Sequence, residues 1–129
     1  MEADLGVFKA CADQTRLRIL LLLAERELCV CELVEVLDMP QGKISRHLAV
    51  LKRAGLAQSR REGTWIYYAL RKPDTELQQR LHLYLRAASQ EHAKAVEDLR
   101  RLDELAARGQ ICVPRTTGRT SAAATKGSR

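Results

Sequence analysis

Apolar residues recur every three or four positions in four short segments of the first half of the chain. This spacing predicts helices over residues 3–11, 14–24, 30–37 and 42–54. Asp13 is expected to cap the second helix, and Gly55 to end the fourth. Pro40 ends the third helix, because the residue before a proline avoids the helical region. Two short helices joined by a tight turn form a helix-turn-helix.

The pattern changes to strand-like alternation after Gly55. Residues 56–60 and 64–70 read as strands, and the second of them is rich in β-branched and aromatic residues. Between them, Arg61-Glu62-Gly63 predicts a turn with glycine at the position that tolerates positive φ. A hairpin directly after a helix-turn-helix is a wing. The expected fold is therefore mainly α with a β-hairpin, a winged helix-turn-helix.

Residues 75–108 show one long helical pattern with an apolar seam of the a/d type. Its positions alternate at spacings of four and three: Leu81, Leu85, Ala88, His92, Ala95, Leu99, Leu102 and Ala106. A helix of this length cannot bury all of its apolar face on a small core. Part of the seam is expected to pack on the first helix, and the rest on a second copy of the chain. The sequence thus predicts a homodimer formed through its N- and C-terminal helices.

A length of 129 residues indicates one domain. Residues 1–110 are expected to form the DNA-binding and dimerisation domain. Residues 111–129 are small, polar and basic without periodicity, which predicts a flexible C-terminal tail. The chain has no run of 18 apolar residues and no signal-peptide pattern at its N-terminus. We expect a cytoplasmic protein with no membrane partner.

Positive charge is concentrated in one stretch of the chain. Residues 41–61 hold six Lys and Arg and no Asp or Glu, the footprint of a surface that contacts double-stranded DNA. The second helix of a helix-turn-helix enters the major groove, and its first side chains reach base edges. The candidate base readers are Gln41, Lys43, Ser45, Arg46 and His47. The candidate phosphate contacts are Lys52, Arg53, Arg60 and Arg61.

Cys29 and Cys31 stand one residue apart at the start of the third predicted helix. On a regular helix, side chains at i and i+2 point about 200° apart, so the pair can share one ion only if the first turn is open. The helix N-terminus is also expected to lower a cysteine pKa, and soft thiolates suit soft ions. The alternative is that Cys31 is a small buried apolar residue and Cys29 an incidental surface thiol.

The order of these features resembles the ArsR/SmtB family of metal-responsive repressors. The resemblance covers residues 5–108 and is carried by "FKACADQTRLRILLLL", by "SRHLAVLKRAGL" and by "REGTWIYYAL". The stretch "ELCVCEL" resembles the arsenic-sensing branch in particular. The resemblance implies a homodimeric repressor, bound at its own operator and released when As(III) or Sb(III) binds cysteine thiolates.

The sequence departs from the CVCxxC pattern of that branch, because Val34 stands at the third cysteine position. As(III) and Sb(III) prefer three sulfurs, so the third must be Cys112 or Cys11. Cys112 is favoured, because a helix separates Cys11 from the pair. A two-thiol site completed by a small thiol stays open.

The same residues admit other functions. A Cd(II)- or Pb(II)-responsive or thiol-redox-responsive repressor of the same fold is the alternative. An enzyme is not expected, since the chain has no Gly-rich loop and no CxxC element. Zinc bound between the long helices is also not expected, because Ala93 and Asp103 follow His82 and His92 where second histidines would stand.

Overall fold

The computed structural model describes residues 1–109 and consists of six helices and three strands over that range. The predicted tail and Cys112 lie outside the described residues. In chain order the elements are α1 (Glu2–Cys11), α2 (Gln14–Glu25), β1 (Leu28–Cys29), α3 (Val30–Leu37), α4 (Gln41–Arg53), β2 (Ala57–Glu62), β3 (Trp65–Leu70), α5 (Glu76–Ala88) and α6 (Ala93–Ala107). The first four predicted helices are confirmed to within one residue at each end.

Apolar faces of α2, α3 and α4 meet in the core of the helix-turn-helix. The core side chains that are essentially inaccessible to solvent include Leu20, Leu33, Ile44, Leu48 and Leu51. Asp13 caps α2 as predicted: its Oδ2 accepts a hydrogen bond from the backbone N–H of Arg16 at 3.0 Å. Gly55 follows the end of α4 with a φ of 80°, which a residue with a side chain would adopt only under strain.

The predicted wing is confirmed as the antiparallel β2–β3 hairpin, in which Glu62 pairs with Trp65 across the turn. Gly63 occupies the turn with a φ of 63°. The short strand β1 was not predicted. It adds to the other side of β3, with Leu28 opposite Tyr68 and Cys29 opposite Tyr67. The first cysteine of the CxC pair is therefore attached to the central strand of the sheet.

The prediction of one long helix over residues 75–108 is wrong. The helix stops at Ala88, and α6 begins after His92, which occupies the N-cap position instead of lying within a seam. The chain turns there because α6 packs back on α2 and α3. The apolar spacing runs across the break, since both helices face the same core. Leu85, Ala88, Ala95 and Leu102 are all buried within one chain.

A buried ion pair fastens α6 to α2. Arg18 donates two hydrogen bonds of 2.9 Å to the carboxylate of Asp98, whose side chain is only 3% exposed. Large apolar side chains stay exposed elsewhere, notably Leu5 and Phe8 on α1 and Leu83 and Tyr84 on α5. None of the helices described is both long and apolar enough to cross a lipid bilayer.

Replacing Asp98 with alanine is predicted to destabilise the fold strongly. Removing one partner of a buried pair leaves the other charge without compensation, at a cost of about 3–5 kcal/mol. The free energy of unfolding should fall by about that amount in urea titrations followed by circular dichroism. Arg80→Ala is the control, because its pair with Glu76 is exposed on both sides. Equal unfolding midpoints for the two variants would contradict the prediction.

Candidate nucleic-acid interface and thiol site

Four of the five predicted base readers lie on the exposed face of α4. Gln41, Lys43, Ser45 and Arg46 are all solvent-exposed. The opposite face of the same helix is fully buried against α2 and α3. The helix is thus anchored by one face and presents polar and cationic side chains on the other, which is the arrangement that major-groove contact requires.

His47 differs from the other four, because it is half-buried against the start of α2. Its Nδ1 lies 3.2 Å from Nη1 of Arg16 and 3.9 Å from Oδ2 of Asp13. Burial is the main cause of a lowered His47 pKa, and the nearby cations act in the same direction while Asp13 opposes them. The side chain connects α4 to the cap of α2. Its predicted contact with DNA stays a prediction.

All four predicted phosphate contacts are solvent-exposed, although Arg60 also has partners within the chain. Lys52, Arg53 and Arg61 are solvent-exposed, and Lys52 donates a hydrogen bond of 2.8 Å to Oγ of Ser59 on β2. This contact ties the end of α4 to the wing. Lys52 and Arg53 lie in the last turn of α4, and Arg61 lies near the tip of the wing.

The guanidinium group of Arg60 contacts other residues of the same chain. It forms ion pairs of 2.8 Å with Glu27 and 2.7 Å with Glu62, and its guanidinium lies 4.7 Å from the centre of the Tyr67 ring. The sequence predicts a phosphate contact for this residue and gives no sign of its ion pair with Glu27. In the structure, Arg60 joins the wing to the segment just before β1.

The Cys29 and Cys31 sulfurs lie 2.9 Å apart. Cys29 is the N-cap of α3, with extended backbone angles (φ −84°, ψ 162°), while Cys31 belongs to the first helical turn. The change from extended to helical backbone between them turns the two side chains to the same side. The open first turn that the sequence analysis required is therefore present.

Glu32 completes a capping box in which a cysteine takes the usual place of serine or threonine. The backbone N–H of Cys29 donates to Oε1 of Glu32 at 2.7 Å, and Sγ of Cys29 accepts from the backbone N–H of Glu32. A C-x-x-E spacing at a predicted helix start could have indicated this role. This role was not predicted, because the usual capping residues are serine, threonine, aspartate and asparagine.

The predicted lowering of the Cys29 pKa is wrong. Cys29 is only 1% exposed, and burial raises the pKa of its thiol far above the ordinary value. The Glu32 carboxylate raises it further, and the backbone hydrogen bonds from Glu32 and Cys31, which lower it, offset only part of the increase. The thiol of Cys29 is therefore protonated at neutral pH, and a soft ion that binds it must displace a proton.

No third sulfur joins the pair among residues 1–109. Val34 stands one helical turn beyond Cys31, and Cys11 is a half-buried residue at the end of α1, where burial raises its pKa. Within that range no group of three or more His, Cys, Asp or Glu side chains is placed to hold a metal ion. Cys11 therefore does not complete the site within one chain.

A groove of about 240 Å³ opens beside the two cysteines. Its walls come from three elements: α3, the first residue of α4 and the tip of the wing. The lining includes Cys29, Cys31, Val34, Gln41, Trp65 and Ile66. The thiol pair, the DNA-facing helix and the wing thus border a single space.

Comparisons with known proteins agree with this arrangement. A sequence profile described as "Bacterial regulatory protein, arsR family" matches residues 13–59. The chain is 40% identical over 111 residues to the arsenic resistance transcriptional regulator ArsR2 of Pseudomonas putida, which covers 82% of this chain and 94% of that protein. The chain belongs to the ArsR family.

Two further comparisons bear on the helix-turn-helix. The chain is 58% identical over 65 residues to the arsenic resistance transcriptional regulator ArsR1 of P. putida, which covers 50% of this chain and 51% of that protein. The chain thus spans about half the length of that relative. The solution structure of a homodimeric winged helix-turn-helix domain, Mb0332 of Mycobacterium bovis, is 35% identical with a TM-score of 0.58, and covers 70% of this chain and 82% of that one.

Replacing Glu32 with glutamine is predicted to lower the Cys29 pKa. The amide oxygen can still accept from the Cys29 N–H, so the cap persists, but the carboxylate charge that disfavours the thiolate is gone. At pH 8.5, which lies below the raised pKa, the thiolate fraction and hence the rate of Cys29 alkylation by iodoacetamide should rise severalfold. Peptide mass spectrometry measures this rate, with Cys11 in the same sample as control. An unchanged rate would show that Glu32 does not control the thiol.

Proposed function

We propose that this ArsR-family protein is a transcriptional repressor that leaves its operator when As(III) or Sb(III) binds Cys29, Cys31 and Cys112. One observation carries the proposal. Two sulfurs lie 2.9 Å apart at the start of α3, the helix that packs directly on the DNA-facing helix α4. Cys112 is proposed as the third ligand because no other sulfur joins the pair within residues 1–109.

The DNA-binding part of the proposal rests on the exposed polar face of α4 and the cations around it. Gln41 suits adenine, and Lys43 and Arg46 suit guanine, in the major groove. Lys52, Arg53 and Arg61 supply charge for phosphates. A bacterial regulator with this fold needs one α4 for each half of a roughly palindromic site, with half-sites about 34 Å apart.

A homodimer provides the second α4. Apolar side chains on α1 and α5, among them Phe8 at 58% and Leu83 at 68% exposure, remain accessible to solvent in the single chain. Exposed side chains of this kind on two helices are typical of a subunit interface. The homodimeric state named for the M. bovis relative supports the same assembly.

The chemistry of the pair suits a trivalent, thiophilic centre. Each As–S bond forms as a thiol loses its proton and a hydroxyl group leaves arsenic with that proton as water. Three such exchanges convert As(OH)3 into a three-sulfur complex without any change in oxidation state. Because its pKa is raised, the Cys29 thiol supplies one of the protons that leave as water.

Binding of the effector strains the start of α3. Cys29 is at once the cap of this helix and a ligand, so drawing its sulfur onto arsenic competes with the hydrogen bond from the Glu32 N–H. Because α3 packs on α4, a displaced α3 changes the position of the DNA-facing helix. A coupling of about 3 kcal/mol would lower DNA affinity by roughly 150-fold.

The function is tested by measuring release of the reduced, full-length protein from a duplex that carries its own promoter. As(III) and Sb(III) should release the protein, and Cys29→Ser, Cys31→Ser and Cys112→Ser should each raise the required concentration by at least about tenfold. Cys11→Ser is the matched control and should respond as the unmodified chain does. Fluorescence anisotropy of the labelled duplex reports the bound fraction.

Three results would contradict the proposal. Failure of the protein to bind the duplex would remove the DNA-binding function. If the Cys29→Ser variant is released at the same As(III) concentration as the unmodified chain, Cys29 is not part of the sensing site. Release by Cd(II), Pb(II) or peroxide, and not by As(III), would show that the protein is a repressor that responds to one of these alternative signals.

A further inference from the structure

Arg16, in the first turn of α2, is in contact with two other helices. Its Nε donates a hydrogen bond of 2.7 Å to the carbonyl oxygen of Ala10, and its Nη2 donates one of 3.3 Å to that of Lys9. Both carbonyls belong to the last turn of α1, where carbonyls have no partner within the helix. Nη1 of the same guanidinium lies 3.2 Å from Nδ1 of His47 on α4. One side chain therefore connects α1, α2 and α4.

The contact with Arg16 determines which nitrogen of His47 carries the proton. A guanidinium group has N–H donors and no acceptor, so Nδ1 of His47 accepts this hydrogen bond. In a neutral imidazole with an acceptor at Nδ1, the N–H group is at Nε2. The structure thus assigns His47 a neutral ring with a hydrogen-bond donor at Nε2.

His47 lies beside the cationic face of α4 without belonging fully to it. The positive charges of Lys43 and Arg46, both exposed, act on its imidazole. The His47 side chain is 18% exposed, so part of the ring contacts solvent. Because the ring packs against the start of α2, it does not project from α4 as Gln41 and Arg46 do. This position suits an acceptor on the DNA backbone beside the groove better than a base edge within it.

We propose that Arg16 is a positioning residue for DNA binding, which holds His47 so that its Nε2–H group donates a hydrogen bond to a phosphate oxygen of the operator. The proposal rests on the proposed function, because it requires a duplex bound to α4. It assigns the predicted DNA contact of His47 to a phosphate. Through the α1 carbonyls, Arg16 also fixes this contact relative to the helix that is proposed to bind the second subunit.

A protonated His47 would not preserve this arrangement. A proton on Nδ1 would oppose the N–H group of Arg16, and burial also disfavours the charged ring. The added charge would face Lys43 and Arg46, whereas the Asp13 carboxylate, 3.9 Å from Nδ1, would favour it. Arg16 therefore keeps the ring neutral while the ring donates to the phosphate.

A double-mutant cycle tests whether Arg16 acts through His47. Fluorescence anisotropy gives the affinity of the full-length protein, without effector, for its promoter duplex and for an unrelated duplex. His47→Ala should weaken both about tenfold, since a hydrogen bond to a charged group is lost and phosphates carry no sequence information. Arg16→Met should weaken binding by a similar factor. The double variant should bind about as weakly as either single variant, and not about a hundredfold more weakly than the unmodified chain.

A spectroscopic measurement separates positioning from a general loss of stability. Nuclear magnetic resonance of the histidine ring nitrogens should show an unprotonated Nδ1 for His47 at neutral pH. Arg16→Met should raise the His47 pKa, because a positive charge that lowers it is removed. Arg26→Met is the matched control: Arg26 is exposed at the opposite end of α2, and its substitution should change neither the affinity nor this pKa.

Arg16→Lys serves if Arg16→Met does not fold. Lysine keeps the positive charge near the α1 carbonyls, but one ammonium group does not reproduce the planar fork that contacts Ala10, Lys9 and His47 together. The same non-additive cycle with His47→Ala is expected for this variant.

The outcomes separate this inference from the proposed function. Failure of the unmodified protein to bind the promoter duplex would overturn both. Multiplied losses in the double variant, or unchanged affinity in the Arg16 variant that folds, would overturn the role of Arg16 and leave the repressor standing. A loss in His47→Ala that is confined to the promoter duplex would show a base contact and overturn the phosphate contact. A non-additive cycle with equal losses on both duplexes would establish the inference.

Discussion

The cap of α3 is the constraint on which the candidate site depends. A helix start leaves backbone N–H groups without partners, and here Glu32 and the Cys29 sulfur satisfy two such groups reciprocally. The same extended cap residue brings the two sulfurs to 2.9 Å. The atom that stabilises the helix is thus also a proposed effector ligand. A bond formed by that sulfur therefore changes the start of the helix.

Cys29 is connected to the DNA-facing parts of the molecule in two directions. Through α3 it reaches α4, against which α3 packs. Through β1 it is paired with Tyr67 of β3, and Tyr67 lies opposite Arg60 of β2. Arg60 in turn pairs with Glu27, two residues before Cys29. A displacement at the cap therefore has a packed route to α4 and a hydrogen-bonded route to the wing.

Local patterns in the sequence were sufficient to predict most of the fold. The helical spacing of the first four helices, the Asp13 cap, Gly55 and the Gly63 turn are short-range signals, and the structure agrees with each of them. Strand β1 could not be predicted in this way, because two residues are too few to show alternation and its pairing depends on a strand nearly forty residues away. The break after Ala88 was missed because α5 and α6 face the same core, so the apolar period continues across the turn.

The candidate site was only partly accessible to sequence reasoning. The basic stretch and the CxC pair were visible, but the roles of Arg60 and Cys29 depend on distant or buried neighbours. Glu27, which lies outside the wing, forms an ion pair with Arg60. Burial raises the pKa of Cys29, which was expected to be lowered. Charge along the sequence shows where cations are, while the partner that each one has is determined by the tertiary structure.

Amide hydrogen exchange at the start of α3 shows whether effector binding disrupts the helix cap. Saturating As(III) is predicted to speed exchange at the N–H groups of Cys29 and Glu32, because effector binding disrupts the cap that protects them. Exchange in the middle of α2 should stay unchanged. Slower or unaltered exchange at Cys29 and Glu32 in the As(III)-bound protein would contradict this prediction, since the thiols would then bind the effector without affecting the helix that supports α4.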